Sequence, residues 1–375
     1  MRFFLPLLFV LLTSAGVGSF SVTDTIYFRD LGHSLAFIGL MVGVFNICVA
    51  VSELPFAILF DRYSSKLSIL IGVCLRIAAF ALFAVFFMDQ DMLLMGQALA
   101  GIATAATSGT VVALVMNEVR ERSYEAMSLQ GSRISLVAGV GSLIGGTLGS
   151  VGYTYYPQTI WLLAIGFFCF ALGALARFRD TPVAGSSLSL QDMALCVLSL
   201  IKQRCTVLLV LNNACALAPI LLWQLKFNAI SPSAVLAGFA VVSLSKIAGS
   251  VLFRAFKADI AFVKYACLVN VIAIGAFVAS TDAYVMLLLF AVHVLVHIVQ
   301  SICLEGLFQS QVANAVRASS LSLVSLLDSL VVALLAPVVG LLAARYGFME
   351  AAAVSCVLYA VVAGLSAGVR EETPA

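Results

Sequence analysis

Apolar runs of membrane-crossing length follow one another from end to end of this chain, separated by short polar or charged breaks. They fall at about 4–27, 35–60, 67–88, 92–116, 131–153, 159–177, 205–225, 233–253, 261–281, 283–305, 319–344 and 349–369. A bilayer core is crossed by about 20 helical residues, and each run is close to that length. Within lipid a backbone must satisfy its own N–H and C=O groups, so the runs are helices. The short segments of period-two alternation that a membrane barrel needs are absent. Hydrophobic residues make up 63% of the chain and charged residues 10%, against about 25% charged in a water-soluble domain. The solvent is therefore lipid. No basic patch of the kind nucleic acid requires is present. The apolar start resembles a signal peptide, but it runs on past Ala15 and Gly16 to Tyr27 and so has the length of a span.

Basic residues set the orientation, since cytoplasmic loops carry the excess of Lys and Arg. With the N-terminus in the cytoplasm, fifteen of the 20 basic residues lie on or near the cytoplasmic side. Only Arg29, Lys226 and Arg345 fall outside, and Arg76 and Lys246 lie within spans. The longest break separates spans six and seven. There Leu190, Met193, Ala194, Val197, Leu198 and Ile201 keep helical spacing opposite Gln191, Asp192 and Ser199, which reads as an amphipathic helix at the cytoplasmic interface or as an extra half-span. The expected organisation is a six-helix half over 1–177, a linker over 178–203 and a second six-helix half over 204–375. At one offset of 195 residues, Gly43 falls on Gly238, Arg62 on Lys257, Arg122 on Arg317, Gly145 on Gly340 and Gly152 on Gly347. Six helices bring the chain back to the same side, so the halves form a parallel repeat about an axis along the membrane normal.

Between spans two and three stands a tight charged hairpin, Asp61-Arg62-Tyr63-Ser64-Ser65-Lys66. Span five carries Gly141, Gly145, Gly146 and Gly149. The hairpin, with Ala57 and Leu59 before it, resembles the loop G-x-L-a-D-r-x-G-r-k of the major facilitator superfamily. Leu59, Asp61, Arg62 and Lys66 match, whereas Ala57 and Ser64 stand where that family has glycine and Ser65 where it has arginine. The span-five glycines resemble its antiporter motif, with Gly146 in place of a proline. Gln97 stands where many members carry a buried arginine. Glu53-Leu54-Pro55, Trp223-Gln224 and the run from Arg317 look like a bacterial branch concerned with drug or metabolite efflux. The resemblance implies twelve transmembrane helices in two pseudo-symmetric halves, and a gating role for Asp61, Arg62 and Lys66. Arg62 and Lys66 have candidate partners in Glu118, Glu121 and Glu125 after span four; the other reading is that they only set topology. The glycines serve close helix packing or antiporter-like bending.

Ionisable residues inside spans are costly and so become functional candidates. Asp328 lies about nine residues into span eleven, ~14 Å deep at 1.5 Å per residue. It reads as a coupling or substrate residue, or as a structural partner of Lys246. Asp24 is a proton entry site or an interfacial residue. Glu53 and Arg76 read as a structural pair or as coupling groups. His293 and His297 share a helix face with Gln300 and line a polar cavity, titrate with a proton cycle or bond neighbouring helices. Span seven lines the cavity in the family, which makes Asn213 and Gln224 candidates. No third ligand accompanies the two histidines, and the nine cysteines show no CxxC spacing, so no metal or other cofactor is expected. No G-x-x-x-x-G-K-[ST] occurs, so ATP does not drive the protein directly, and no catalytic constellation appears.

The expectation is a monomeric secondary transporter of a bacterial inner membrane, with both termini cytoplasmic, exporting a small molecule against protons by alternating access. Uptake or facilitated diffusion of a small polar metabolite or siderophore-like compound is the alternative within transport. A membrane-embedded metal enzyme or sensor using His293 and His297 is the alternative outside it.

Overall fold

With no water at bilayer depth to serve free amides and carbonyls, each apolar run closes its own hydrogen bonds. The computed structural model describes residues 4–62, 65–107, 124–177, 195, 198–199, 202–256, 260–311 and 317–367. Among them there is no strand. The helices are α1 (Phe4–Ser21), α2 (Asp24–Asp30), α3 (Leu35–Arg62), α4 (Ser65–Val85), α5 (Gln90–Thr107), α6 (Tyr124–Tyr155) and α7 (Thr159–Ala176). After the linker come α8 (Arg204–Cys215), α9 (Leu217–Asn228), α10 (Pro232–Phe256), α11 (Ile260–Ala279), α12 (Ala283–Gln311), α13 (Arg317–Arg345) and α14 (Phe348–Ser366). Joined in their pairs, α1 with α2 and α8 with α9, these are the twelve expected passes. Ten meet the length and hydropathy of a membrane span among the described residues. Large apolar side chains such as Phe170 at 70% and Leu334 at 74% exposure point out of the protein, as lipid-facing residues do.

Two passes are interrupted, and the interruptions share the repeat. Span one stops at Ser21, makes a turn closed by Thr23 N–H donating to the Phe20 carbonyl (3.0 Å), and restarts when Tyr27 N–H donates to the Thr23 carbonyl (2.7 Å). Span seven breaks at Ala216, which lies 195 residues after Ser21. There Pro219 has no N–H to give the Cys215 carbonyl, so the ladder cannot pass unbroken. Elsewhere the ends are set by local chemistry. Asp89 Oδ1 accepts from the amides of Asp91 and Met92, and Asp282 Oδ1 from those of Tyr284 and Val285, capping α5 and α12. The α2–α3 and α13–α14 connections turn at Gly32 and Gly347, with φ of 89° and 115°, a region that side chains disfavour.

The chain divides into two compact units: Met1–His33 with Val44–Ser187, and Ser34–Gly43 with Leu188–Ala375. In unit 1, α1 lies along α6 and α7, and α4 along α5 and α7. A methyl group added at Gly141, Gly145 or Gly149 would overlap the carbonyls of Leu11, Ala15 and Ser19 in turn. One i, i+4 stripe of α6 thus lets two backbones touch, the kind of contact that holds helices together where lipid removes the hydrophobic drive. Gly146 is buried beside the stripe. Above it Trp161 is ringed by Phe20, Tyr27, Phe28, Phe80 and Phe83 at 4.9–5.9 Å between centroids. In unit 2, α11 packs on α12 and α14, and α8 on α12, α13 and α14. The first turns of α3 belong here too. Added methyls at Gly39 and Gly340 would meet the carbonyls of Ala336 and Leu35.

Candidate functional site

The buried polar groups of unit 2 converge from four helices. On α12, His293, His297, Gln300 and Ser301 recur at spacings of four, three and one, so they share a broad face. His293 is 1% exposed, and its Nδ1 lies 2.8 Å from Asn270 Oδ1 on α11. The Asn270 amide nitrogen donates to Gln300 Oε1 (3.2 Å), and Gln300 Nε2 reaches Cys267 Sγ (3.1 Å). The Asn270 oxygen is therefore the acceptor, and His293 donates from Nδ1. His297 Nδ1 lies 2.8 Å from the Tyr359 hydroxyl of α14. The Tyr359 ring stands edge-on to both imidazoles, at 6.2 and 6.1 Å. Ser301 donates to the His297 carbonyl (2.9 Å) and accepts from Asn212 Nδ2 of α8 (2.8 Å).

The next residue on α8 turns the other way. Asn213 presents its side-chain amide to the Asp328 carboxyl of α13, while Asp328 Oδ1 is buried and has no hydrogen-bond partner. Asn212 Oδ1 is likewise buried without a partner. One turn of α8 thus carries two amides, one tied to the imidazole helix and one to the carboxylate helix. Gln224 is buried on α9, next to Trp223, which stacks on Phe290 at 5.8 Å.

Unit 1 holds its charges differently. Arg76, on α4, donates from Nη2 to Thr104 Oγ1 of α5 at 2.6 Å, and its guanidinium carbon stands 5.9 Å from the centre of the Phe168 ring of α7. Thr104 in turn donates to the Ala100 carbonyl (2.8 Å), which leaves its oxygen lone pairs facing the cation. Glu53, buried on α3, has a partner of its own, and the structure does not bring it to Arg76. Asp24 opens α2, its Oδ1 accepting from the Thr25 amide (2.8 Å), where a negative group complements the helix dipole. Asp30 ends α2 and accepts from the Tyr153 hydroxyl (2.7 Å).

Of the hairpin after span two, Lys66 donates to the Ala176 carbonyl at the end of α7 (3.2 Å), where a cation suits the last turn of a helix. Asp61 and Arg62 end α3, but their side chains lie outside the described residues, as do Glu118, Glu121, Lys257, the side chains of Glu125 and Lys246, and most of the linker. Among the described residues no three His, Cys, Asp or Glu groups converge as metal ligands would.

Thr104, Asn270, Ser301 and Tyr359 are the participants that reading the sequence passed over. Each is a polar group inside an apolar run, and that was the available signal. What it lacked was helix rotation, which decides whether such a group meets a partner or lipid.

Twelve helical passes with carboxylate, imidazole and guanidinium groups inside them define a polytopic membrane protein of the transporter class. The chain belongs to the Major Facilitator Superfamily, whose model matches residues 5–365. Among solved structures it resembles the nucleoside transporter NupG, with TM-score 0.75, 15% identity and 97% of each chain covered. It also resembles a bacterial homolog of the human lysosomal transporter Spinster, with TM-score 0.76, 13% identity, and 97% of this chain and 95% of that one covered. The human organic anion transporter MFSD10 (TETRAN) follows at TM-score 0.68 and 14% identity, with 97% of this chain and 98% of that one covered. No curated protein matches by sequence.

Proposed function

We propose that this chain is a secondary active transporter that exports a small molecule in exchange for protons by alternating access, with Asp328 as the proton-carrying group. The observation that carries the reading is the Asp328 carboxyl. It sits well inside α13, one oxygen has no partner, and the Asn213 amide faces the group from α8. A charge at lipid depth is costly. Taking up or losing a proton there changes the energy of any arrangement in which the group is enclosed, and a two-state carrier responds to such a difference. Asn213 and Asn212 tie that carboxyl, through one turn of α8, to the Ser301–His297–Tyr359 chain. That chain gives a second titratable group on the same helix contact.

In this reading the halves 1–177 and 204–375 rock against each other, joined by the linker 178–203, in a bacterial inner membrane with both termini cytoplasmic. Asp61, Arg62 and Lys66 gate the cytoplasmic side, and the protein works as a monomer. The cargoes named for proteins of similar fold, nucleosides and organic anions among them, differ too widely for the fold to select one. The test is reconstitution in proteoliposomes with an imposed pH gradient and a substrate found by thermal-shift screening. Accumulation that follows the gradient and reverses with its sign supports proton coupling. Flux indifferent to the gradient, and unchanged in Asp328→Asn, would leave a facilitator and remove the coupling. Comparing gradients of opposite sign in vesicles of known sidedness separates export from uptake.

A further inference from the structure

Arg76 is the feature that the proton reading leaves unused. It stands eleven residues into α4 from Ser65, about 16 Å along the helix at 1.5 Å per residue, which is bilayer depth. A guanidinium carries five N–H donors and cannot shed its charge in a protein. Here one Nη2 contact to the neutral Thr104 hydroxyl and the face of Phe168 are its partners. Among the described residues no carboxylate reaches it. Asp24 and Asp30 are held at the two ends of α2, Glu53 is engaged on α3, and Asp89 and Asp91 lie exposed at the start of α5. Arg76 itself is half-buried, so part of its surface remains open. A cation enclosed at this depth ordinarily has an anion beside it. A planar fork with free donors matches a carboxylate or a phosphate in two-point contact.

We infer that Arg76 receives an anionic group of the transported molecule, held between α4, α5 and α7, and that the substrate is therefore an organic acid or a phosphorylated compound. This rests on the transport reading and adds the charge of the cargo to it. Thr104 positions the guanidinium. Its own hydrogen goes to the Ala100 carbonyl, so its oxygen is fixed as an acceptor and cannot compete for the substrate's anionic group. The Phe168 ring lies 5.9 Å from the guanidinium carbon and offers no acceptor that would compete with the ligand. Arg76→Lys keeps the charge and loses the fork, so anion binding should weaken by about tenfold or more.

The experiment uses purified full-length protein in detergent and reads thermal unfolding by tryptophan fluorescence. The probes are benzoate, lactate, succinate and inorganic phosphate, with benzamide and lactamide as neutral counterparts and benzylamine as a cation. The expected result is a rise of about 2–4 °C with one or more anions at saturation, absent with the amides and the amine, and lost in Arg76→Met. In the same variant without ligand the unfolding temperature should hold or rise, because an uncompensated charge has been removed. A fall of about 4 °C or more in ligand-free Arg76→Met would mark a structural ion pair and overturn the inference. So would stabilisation by none of the anions, or stabilisation by an anion that survives in Arg76→Met. Proteoliposome flux separates the two levels. Gradient-driven transport of a neutral or cationic compound that is undiminished in Arg76→Met overturns the anion assignment and leaves the transporter intact. Absence of driven flux in a protein that still binds anions through Arg76 removes the coupling and leaves the site.

Discussion

Unit 1 and unit 2 each pack aromatic rings about a tryptophan, yet they keep opposite chemistry beside it. Around Trp161 stand five rings and, two turns away on α7, Phe168 with the Arg76 cation over its face. Around Trp223 stand Phe227 and Phe290, with Phe277 behind them, and then a chain of amides, imidazoles and a phenol. At the 195-residue offset Arg76 corresponds to Val271, His293 to Ala98, His297 to Ile102 and Tyr359 to Ala164. Each of these four falls on an apolar residue of the other half, whereas Asp328 falls on Arg133. The halves share backbone features, the helix breaks at Ser21 and Ala216 on that offset and the aspartate caps of α5 and α12 at an offset of 193, whereas Arg76, His293, His297 and Tyr359 have no polar counterpart. Geometry is what the two halves share; charge is where they have specialised. A fixed cation in one half and titratable groups in the other is the division expected if one recognises cargo and the other handles protons.

The largest expected effect breaks that division at its proton end. In Asp328→Asn, gradient-driven accumulation should fall to the level seen without a gradient, while exchange of labelled for unlabelled substrate persists. Arg76→Met should do the reverse for an anionic substrate, abolishing both driven flux and exchange through loss of binding. Identical behaviour of the two variants in driven flux and exchange assays would collapse the comparison.

Next in size is the packing that each unit gives its equivalent glycine. Gly145 lies against the Ala15 carbonyl of α1, and its counterpart Gly340 lies against Leu35 and Gly39 of α3. Gly145→Ala should destabilise the protein by about 1–3 kcal/mol through overpacking, read as a lower unfolding temperature in detergent. Gly166→Ala, where nothing lies within 4 Å, is the control and should be neutral or slightly stabilising. Gly340→Ala sharpens the comparison. It should cost a similar amount, and should also impair flux, because α3 passes from unit 2 to unit 1 at Gly43.

Much of the fold could be read from the sequence because lipid imposes one answer on every apolar run. The turn at Val22 and Thr23 could not be read, since neither residue is a helix breaker and the apolar run continues across it. Pro219 is a visible breaker in span seven, yet the run 205–225 reads as one uninterrupted span. At the site, the sequence marks Asp328, Arg76, His293 and His297 by the cost of putting them in lipid. It does not mark Thr104 or Asn270, since a threonine or asparagine in a span is unremarkable until helix rotation sets it opposite a partner. Glu53 and Arg76, read as a structural pair or as coupling groups because both are ionisable inside spans, are not paired with each other: Arg76 meets Thr104 instead.

A smaller effect tests whether the polar chain of unit 2 is one network. Asn270→Leu removes the acceptor of His293 and the donor to Gln300 together. Leaving those groups buried without partners should cost about 1–3 kcal/mol. The double variant Asn270→Leu with His293→Phe should recover part of that loss, because the orphaned imidazole is gone. Simple additivity of the two losses would mean that the groups do not act together.

The smallest expected effect concerns what the halves still share. Asp89 and Asp282 each accept from two amides at the start of the helix that follows, at 3.0 and 3.1 Å in one case and 3.0 and 2.9 Å in the other. Both are exposed, so neither gains from burial, and the value of each is that of an N-cap, about 1 kcal/mol on replacement by alanine. If duplication conserved geometry while charge diverged, Asp89→Ala and Asp282→Ala should lower the unfolding temperature equally and leave gradient-driven flux untouched. A flux defect in only one of them would place functional asymmetry in the helix caps as well. The boundary between shared scaffold and specialised charge would then run through the loops rather than at bilayer depth.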